Sequence, residues 1–236
     1  DGRGGSAIGT VNITVTAPPA PTFQTAGTAV SGTGAITPTW PAHQAGDVAL
    51  LVVESANQAI SLSVPAGFVE VTGSLQGTGT AGGTAATRLA VYWKRATSSS
   101  EATPTVADSG DHQIARIITF RGVTGTGNPW DVTAGGVAVS ASTAVSIPGA
   151  TTTVPNTLVV LLVANGTDTT TAQTGSWANV GLTSLTERAD NNTSSGNGGG
   201  FGMANGVKAT AGAYGTTTAT LATSSVQGLL SIALKP

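Results

Sequence analysis

Short apolar runs rich in valine, leucine and isoleucine constrain this chain more than any other feature of its sequence. Each run is about as long as a strand and is bounded by turn-forming residues, a pattern typical of buried β-strands. None approaches the ~20 residues that a membrane-spanning helix needs. The pattern predicts an all-β protein, and we expect a jelly-roll-like antiparallel β-sandwich. The clearest runs are residues 48–53, 114–120, 158–163 and 229–234.

The low content of charged residues narrows the classes of molecule that this chain can be expected to bind. Charged residues make up 8% of the 236, and the formal net charge is -2. A typical soluble domain carries roughly a quarter charged residues. Because no stripe of Lys and Arg is present, we expect no nucleic-acid partner and no membrane insertion. Cysteine is absent, which fits exported proteins and phage particles without fixing the compartment. Since the chain begins at Asp1, we expect a fragment, a processed product or part of something longer.

Residues 1–21 differ in pattern from the rest of the chain. Residues 10–16 alternate apolar and polar side chains, which predicts a half-buried strand, and residues 17–21 form a Pro-rich, stiff linker. The stretch from Gly4 to Val15 resembles the closing strand of cadherin-like and Ig-like repeats of bacterial surface proteins. This resemblance implies further repeats upstream, and the alternative is an assembly arm that pairs with another sheet. The sandwich domain itself is expected over residues 22–236.

Two stretches of the domain, about residues 40–125 and 150–236, show the same order of elements. In each, an apolar run leads to an aromatic residue, a hairpin arm, a short Thr-containing strand and a second apolar run. The offset is roughly 110 residues. This order favours an internal duplication that gives two facing sheets the same strand order, and chance similarity between β-rich segments is the alternative. Residues 73–87 and 190–200 are predicted loops, mobile or moulded by a partner.

The residues that could support catalysis form no recognisable motif. Residues 77–82 match the dinucleotide fingerprint Gly-x-Gly-x-x-Gly, but the sequence predicts a strand after them, not the helix that holds a pyrophosphate. The chain contains neither a cysteine nor a Gly-x-Ser-x-Gly elbow that could supply a catalytic nucleophile. We interpret His43 and His112 as surface or partner-contact residues. The carboxylates lie mostly at turns, where Asp is favoured in any case, so we expect no enzymatic activity.

Two loops carry clustered oxygen ligands of the kind that Ca²⁺ prefers. They are residues 108–111, Asp-Ser-Gly-Asp, and residues 190–193, Asp-Asn-Asn-Thr. Neither follows an EF-hand or an Asp-x-Asp-x-Asp pattern. We therefore interpret both as turns capped by Asp and Asn side chains, and we predict no cofactor, with bound Ca²⁺ as the alternative.

Three tryptophans, Trp40, Trp130 and Trp177, lie near predicted loops. Because an indole ring can stack on a sugar, these three are candidate ligand contacts, with cell-surface glycans as the ligand. The alternative is that they close the ends of the sandwich core. Tyr92 and Trp93 are adjacent on a predicted strand, so they must face opposite sides of a sheet.

Five short segments occur in a fixed order along the chain: Gly46-Asp47, Pro65-Ala66-Gly67-Phe68, Trp93-Lys94-Arg95-Ala96, Glu101-Ala102-Thr103-Pro104 and Phe120-Arg121-Gly122-Val123. They resemble the signature of a β-sandwich domain found in phage virion and tail-associated proteins and in some bacterial exported proteins. The resemblance covers roughly residues 40–236 and is stronger in the first half. It implies a sandwich displayed on a particle or cell surface. It carries over no catalytic residues.

These patterns favour a non-catalytic structural or adhesive surface module, most simply a phage virion decoration, fibre or tail-associated protein. Its expected partners are other copies of itself or neighbouring virion or surface proteins. Its expected location is the virion surface or the extracellular cell surface. The alternative is a carbohydrate-binding adhesin domain of a bacterial surface or filament protein. A polysaccharide-degrading enzyme, the third hypothesis, would need two carboxylates facing a groove.

Overall fold

The computed structural model describes residues 16–236, together with the isolated residues Gly4 and Asn12. The predicted N-terminal strand over residues 10–16 therefore lies outside the described residues, apart from Asn12 and Thr16. In the described chain every regular element is a β-strand, so the prediction of an all-β protein is confirmed. The described residues include no helix that is long and apolar enough to cross a lipid bilayer.

The first half of the domain contains nine strands. In chain order, β1 to β9 are Thr22–Ala26, Val30–Gly32, Val48–Ser55, Leu62–Val64, Val69–Glu70, Gln76–Thr78, Thr87–Arg95, Thr105–Val106 and Gln113–Arg121. Seven of them form one sheet in the order β1-β9-β3-β7-β5, with β2 beside β9 and β6 beside β7. The short strands β4 and β8 pair with each other.

The second half contains eight strands. In chain order, β10 to β17 are Trp130–Ile147, Thr151–Thr152, Thr157–Asn165, Thr174–Ala178, Thr183–Thr193, Gly199–Lys208, Gly212–Ala213 and Thr217–Leu234. Six of them form a second sheet in the order β10-β17-β12-β15-β14, with β13 also beside β17. The short strands β11 and β16 pair with each other.

The two sheets share one strand order. At the centre of each sheet the last strand of the half (β9 or β17) lies beside β3 or β12, which lies in turn beside β7 or β15. The antiparallel sandwich is confirmed, whereas its jelly-roll detail is not, because each sheet takes its strands from one continuous half of the chain. The shared order is what the two predicted repeats require, and a duplication as its origin stays a prediction.

The sheets pack over a continuous apolar core, and a further apolar layer covers the outer face of each sheet. Because successive side chains of a strand point to opposite faces, Leu50 and Leu162 enter the central core, whereas Leu51 and Leu161 enter the outer layers. Every residue of β3 and of β12 is buried. Burial on both faces is the reason that these runs are apolar at nearly every position instead of alternating.

Candidate functional site: a sealed Glu–His–Asp cluster

Polar residues gather at one end of the first sheet, where three neighbouring strands meet. Glu54 is the next-to-last residue of β3, Thr87 is the first of β7, and His112 directly precedes β9. The antiparallel register of β3 with β7 and with β9 brings these three side chains side by side. All three residues are fully buried, at 0% exposure.

Hydrogen bonds join this cluster from Thr87 to Asp111. The Thr87 hydroxyl donates to Glu54 Oε1 at 2.8 Å, and Glu54 Oε2 lies 3.1 Å from His112 Nε2. The other ring nitrogen, His112 Nδ1, lies 3.0 Å from Asp111 Oδ1. Both imidazole nitrogens therefore face a carboxylate, an arrangement that favours the doubly protonated, positively charged ring.

A turn from the second half of the chain closes over the cluster. Asn197 donates its backbone N–H to Asp111 Oδ1 at 2.8 Å and its side-chain amide to the Gly82 carbonyl at 2.8 Å. Gly199 lies against Glu54, where a Cβ would be 2.7 Å from Oε1 and 2.8 Å from Oε2. Contacts this short leave no room for a larger residue, so glycine is a packing requirement at position 199.

Burial sets the acid–base properties of the cluster. It raises the pKa of Glu54 from 4.5 to about 7, and the bonds to His112 and Thr87 oppose this only in part. Burial alone would lower the pKa of His112, but the hydrogen bonds and charges of Glu54 and Asp111 raise it. Desolvation acts to raise the pKa of Asp111, yet the N–H groups of Asn197 and His112 hold it below the ordinary value.

A Glu–His–Asp chain is an arrangement that can move protons in an active site. Here the imidazole is sealed at 0% exposure, and each ring nitrogen already faces a carboxylate. The Thr87 hydroxyl donates to Glu54 and not to the ring, and Thr87 is itself at 0% exposure. What the cluster does, as it stands, is tie one end of the first sheet to the turn at Asn197.

The interpretation of His112 as a surface residue is wrong, since the side chain is fully buried. One sequence signal could have shown this. Glu54 directly follows the apolar run 48–53, and a charged residue near the end of a fully buried strand needs a buried partner. His43, by contrast, is half-buried in a loop, with Nδ1 2.7 Å from the Pro41 carbonyl and its ring centre 4.5 Å from that of Trp40, at a tilt of 41°.

The first and last of the five signature segments are joined by an ion pair. Arg121 donates two hydrogen bonds to Asp47, from Nε to Oδ1 and from Nη2 to Oδ2, both 2.8 Å long. Such two-pronged pairs are geometrically specific. Desolvation acts to raise the pKa of Asp47, but the bonds from Arg121 and from the Gln44 N–H lower it overall. Asp47 is 1% exposed, so this pair fixes the segment before β3 to the end of β9.

The other three signature segments meet at Lys94. Its Nζ lies 2.5 Å from Glu101 Oε2, donates to the Ala66 carbonyl at 2.7 Å and sits 5.7 Å from the centre of the Trp40 ring. Although desolvation opposes it, the bonds from Lys94 and from nearby N–H groups lower the pKa of Glu101 to about 2. The signature residues therefore hold loops onto the first sheet.

The three candidate tryptophans lie in three different apolar clusters. Trp40 packs on the outer layer of the first sheet. Trp130 is 8% exposed in the central core, where its ring meets Trp93 edge to face at 5.7 Å. Trp177 packs on the outer layer of the second sheet and donates Nε1 to Glu187 at 2.6 Å. The structure does not bring them together into one sugar-stacking surface.

The two candidate calcium loops have different roles. Asp108 accepts the N–H of Gly110 at 2.8 Å, which is the capped turn that the sequence favoured. Asp190 lies in β14 and accepts the N–H of Thr174 at 2.6 Å, so it links β14 to β13. Within residues 16–236 and the two isolated ones, no three His, Cys, Asp or Glu side chains come together to hold a metal ion.

The two predicted loops are held by contacts within the chain. Residues 76–78 form β6 beside β7, and the next element after the fingerprint is the strand β7, as predicted. Residues 190–193 end β14, and residues 199 and 200 begin β15. The bond between Asn197 and Gly82 joins the two segments. Contacts within the chain therefore hold both segments in place.

Fold and site together define an antiparallel β-sandwich with a sealed polar cluster at one end. The chain matches no protein-family model, no curated protein and no solved structure in the three comparisons made. The resemblance to phage virion and cadherin-like domains stays a prediction.

Proposed function

We propose that this chain is a non-catalytic structural module of a biological surface: a phage virion decoration, fibre or tail-associated protein. One observation supports this most strongly. Four of the five charged side chains of the signature segments, Asp47, Lys94, Glu101 and Arg121, are bound to one another in pairs. The fifth, Arg95, donates to the Gly46 carbonyl at 3.3 Å. Residues that act on a substrate need free polar groups, whereas these four stabilise the positions of loops. On this basis the signature maintains a shape that other molecules recognise.

The outer edge of β10 is the surface best suited to assembly. This strand ends the order of the second sheet, so within the described chain no strand pairs with its outer side. Val137 and Val139 are 42% and 72% exposed, and residues 136–146 include no charged residue. An uncharged edge strand with exposed apolar side chains favours association with another chain. We assign this edge to another copy or to a neighbouring surface protein.

Sedimentation velocity of the purified chain, taken up to millimolar concentration, tests the proposal. We expect self-association, weakened by about tenfold or more in Val137→Lys/Val139→Lys because lysine on an edge strand opposes pairing. Val180, a fully exposed residue between β13 and β14, gives the matched control: Val180→Lys should associate like the wild type. A chain that stays monomeric at every concentration and binds no component of its native particle would contradict the proposal.

A further inference from the structure

A groove of about 290 Å³ lies between β1, at the edge of the first sheet, and β14 and β15 of the second. It is separate from the sealed cluster and from the edge of β10. Its walls are partly apolar and partly polar, and they come from both halves of the chain. The lining residues that matter for binding are Phe23, Leu158, Ser184, Arg188, Asn205 and Val207.

Arg188 is held in a defined position in this groove. Its guanidinium carbon lies 4.6 Å from the centre of the Phe23 ring, and its Nε donates to Asn205 Oδ1 at 2.7 Å. Asn205 is itself 3% exposed, so the amide is a fixed support. Because stacking and the hydrogen bond already orient the guanidinium, a ligand that binds it has less side-chain freedom to remove.

An irregularity in β14 points Arg188 into the groove. The register with β15 shifts between Glu187 and Ala189, which leaves Arg188 without a partner across the ladder. A second shift surrounds Ser184, whose φ of 53° is rare for a residue other than glycine. Bulges of this kind redirect side chains and are enriched beside binding sites. Here the bulge leaves Ala189 in the central core while Arg188 reaches Phe23 of the other sheet.

The free polar groups of the groove are mainly hydrogen-bond donors. Among the described residues, the two Nη groups of Arg188 and the Nδ2 group of Asn205 have no hydrogen-bond partner, and no carboxylate forms an ion pair with Arg188. No Asp or Glu lines the groove. A donor set with one guanidinium suits an anion. It does not suit a free amino acid, because its ammonium group would find no carboxylate.

We infer that this groove binds the carboxylate of an acidic sugar, such as a uronate unit of a polysaccharide. One guanidinium matches one negative charge, whereas a phosphate dianion would keep a second charge unmatched. The volume suits a ligand of about one ring, since sites for larger ligands begin at about 300 Å³. Phe23, Leu158 and Val207 offer apolar walls to the ring, and the Ser184 hydroxyl and Asn205 amide can bond its hydroxyls.

Isothermal titration of the purified chain with D-glucuronate, D-glucose and an N-acetylated peptide with a free C-terminal carboxylate tests the inference. We expect a roughly millimolar Kd for glucuronate and no measurable binding of glucose. Arg188→Gln should weaken glucuronate binding by about tenfold or more. Arg88→Gln removes the same charge at a distant site, where Arg88 Nε donates to Asn57 at 3.1 Å, and should bind like the wild type.

The folding of each variant is checked by its thermal midpoint, and Arg188→Lys, which keeps the charge but not the planar fork, should bind with intermediate affinity. Equal glucuronate affinity in wild type and Arg188→Gln would overturn the inference, as would a wild type that binds no glucuronate. Tighter binding of the peptide than of glucuronate would overturn the assignment to a sugar. Since the titration needs no self-association, its result is independent of the assembly proposed for β10.

Discussion

Folding raises the pKa of Glu54 and the pKa of His112 in a site that is closed to water. A group whose pKa is raised by folding contributes stability that is full below its unfolded pKa and is lost as pH rises through its folded pKa. For Glu54 this stability is lost as the pH rises from 4.5 to about 7. For His112 the loss begins at pH 6.5 and extends to higher pH. Folding lowers the pKa of Asp111, so its contribution to stability is present above pH 3.8 and is lost as the pH falls below that value. Stability should therefore decline toward alkaline pH.

The free energy of unfolding is expected to fall by on the order of 3 kcal/mol from Glu54 alone between about pH 5 and about pH 9. Glu54→Gln keeps an acceptor for Thr87 but does not titrate, so this part of the decline should disappear. Urea denaturation across the pH range measures it. Glu70→Gln, on the exposed strand β5, is the control and should keep the wild-type profile. An unchanged decline in Glu54→Gln would rule out this account of the cluster.

Gly199 tests the packing of the same cluster. A methyl group at this position would lie 2.7 Å and 2.8 Å from the Glu54 carboxylate oxygens, so Gly199→Ala should lower the free energy of unfolding by about 1–3 kcal/mol. Gly175 in β13 has nothing within 4 Å of the equivalent methyl position, and Gly175→Ala should be neutral or stabilising. Urea unfolding of the two variants makes the comparison. Equal stabilities would show that the cluster tolerates displacement.

At the scale of the element, the strands fall into two kinds. In β3 and β12 every residue is buried, because one face meets the central core and the other meets an outer layer. In β10 residues 137, 139, 141 and 143 are all exposed. Tyr92 and Trp93 divide as predicted: Tyr92 packs in the outer layer and Trp93 against the central core.

Burial on both faces of β12 gives an unusual mutational pattern. Leu161 and Leu162 are both 0% exposed but belong to different clusters, the outer layer and the central core. We expect Leu161→Ala and Leu162→Ala to destabilise by similar amounts, about 2–5 kcal/mol each. Chemical denaturation measures both values. A near-neutral Leu161→Ala would mean that the outer layer is not a packed core.

At the scale of the whole molecule, periodicity and turn residues predicted the sandwich because they report local burial. The runs at 48–53, 114–120 and 158–163 all lie within long central strands. The sealed cluster could not be read in this way, since Glu54 and His112 are 58 positions apart and Asn197 and Asp111 are 86 apart. Arg188 was equally hidden, because only the register shift in β14 directs it toward Phe23. Pairings of this kind depend on tertiary register, which the local pattern does not contain.

Assembly through the outer edge of β10 is tested most directly by a structure of the native particle or surface that contains this chain. We predict that residues 137–143 pair with or pack against a neighbouring subunit, while Glu54 and His112 stay sealed as they are here. An edge of β10 that is open to solvent in the assembled particle, or a substrate bound at Glu54 and His112, would contradict the structural role.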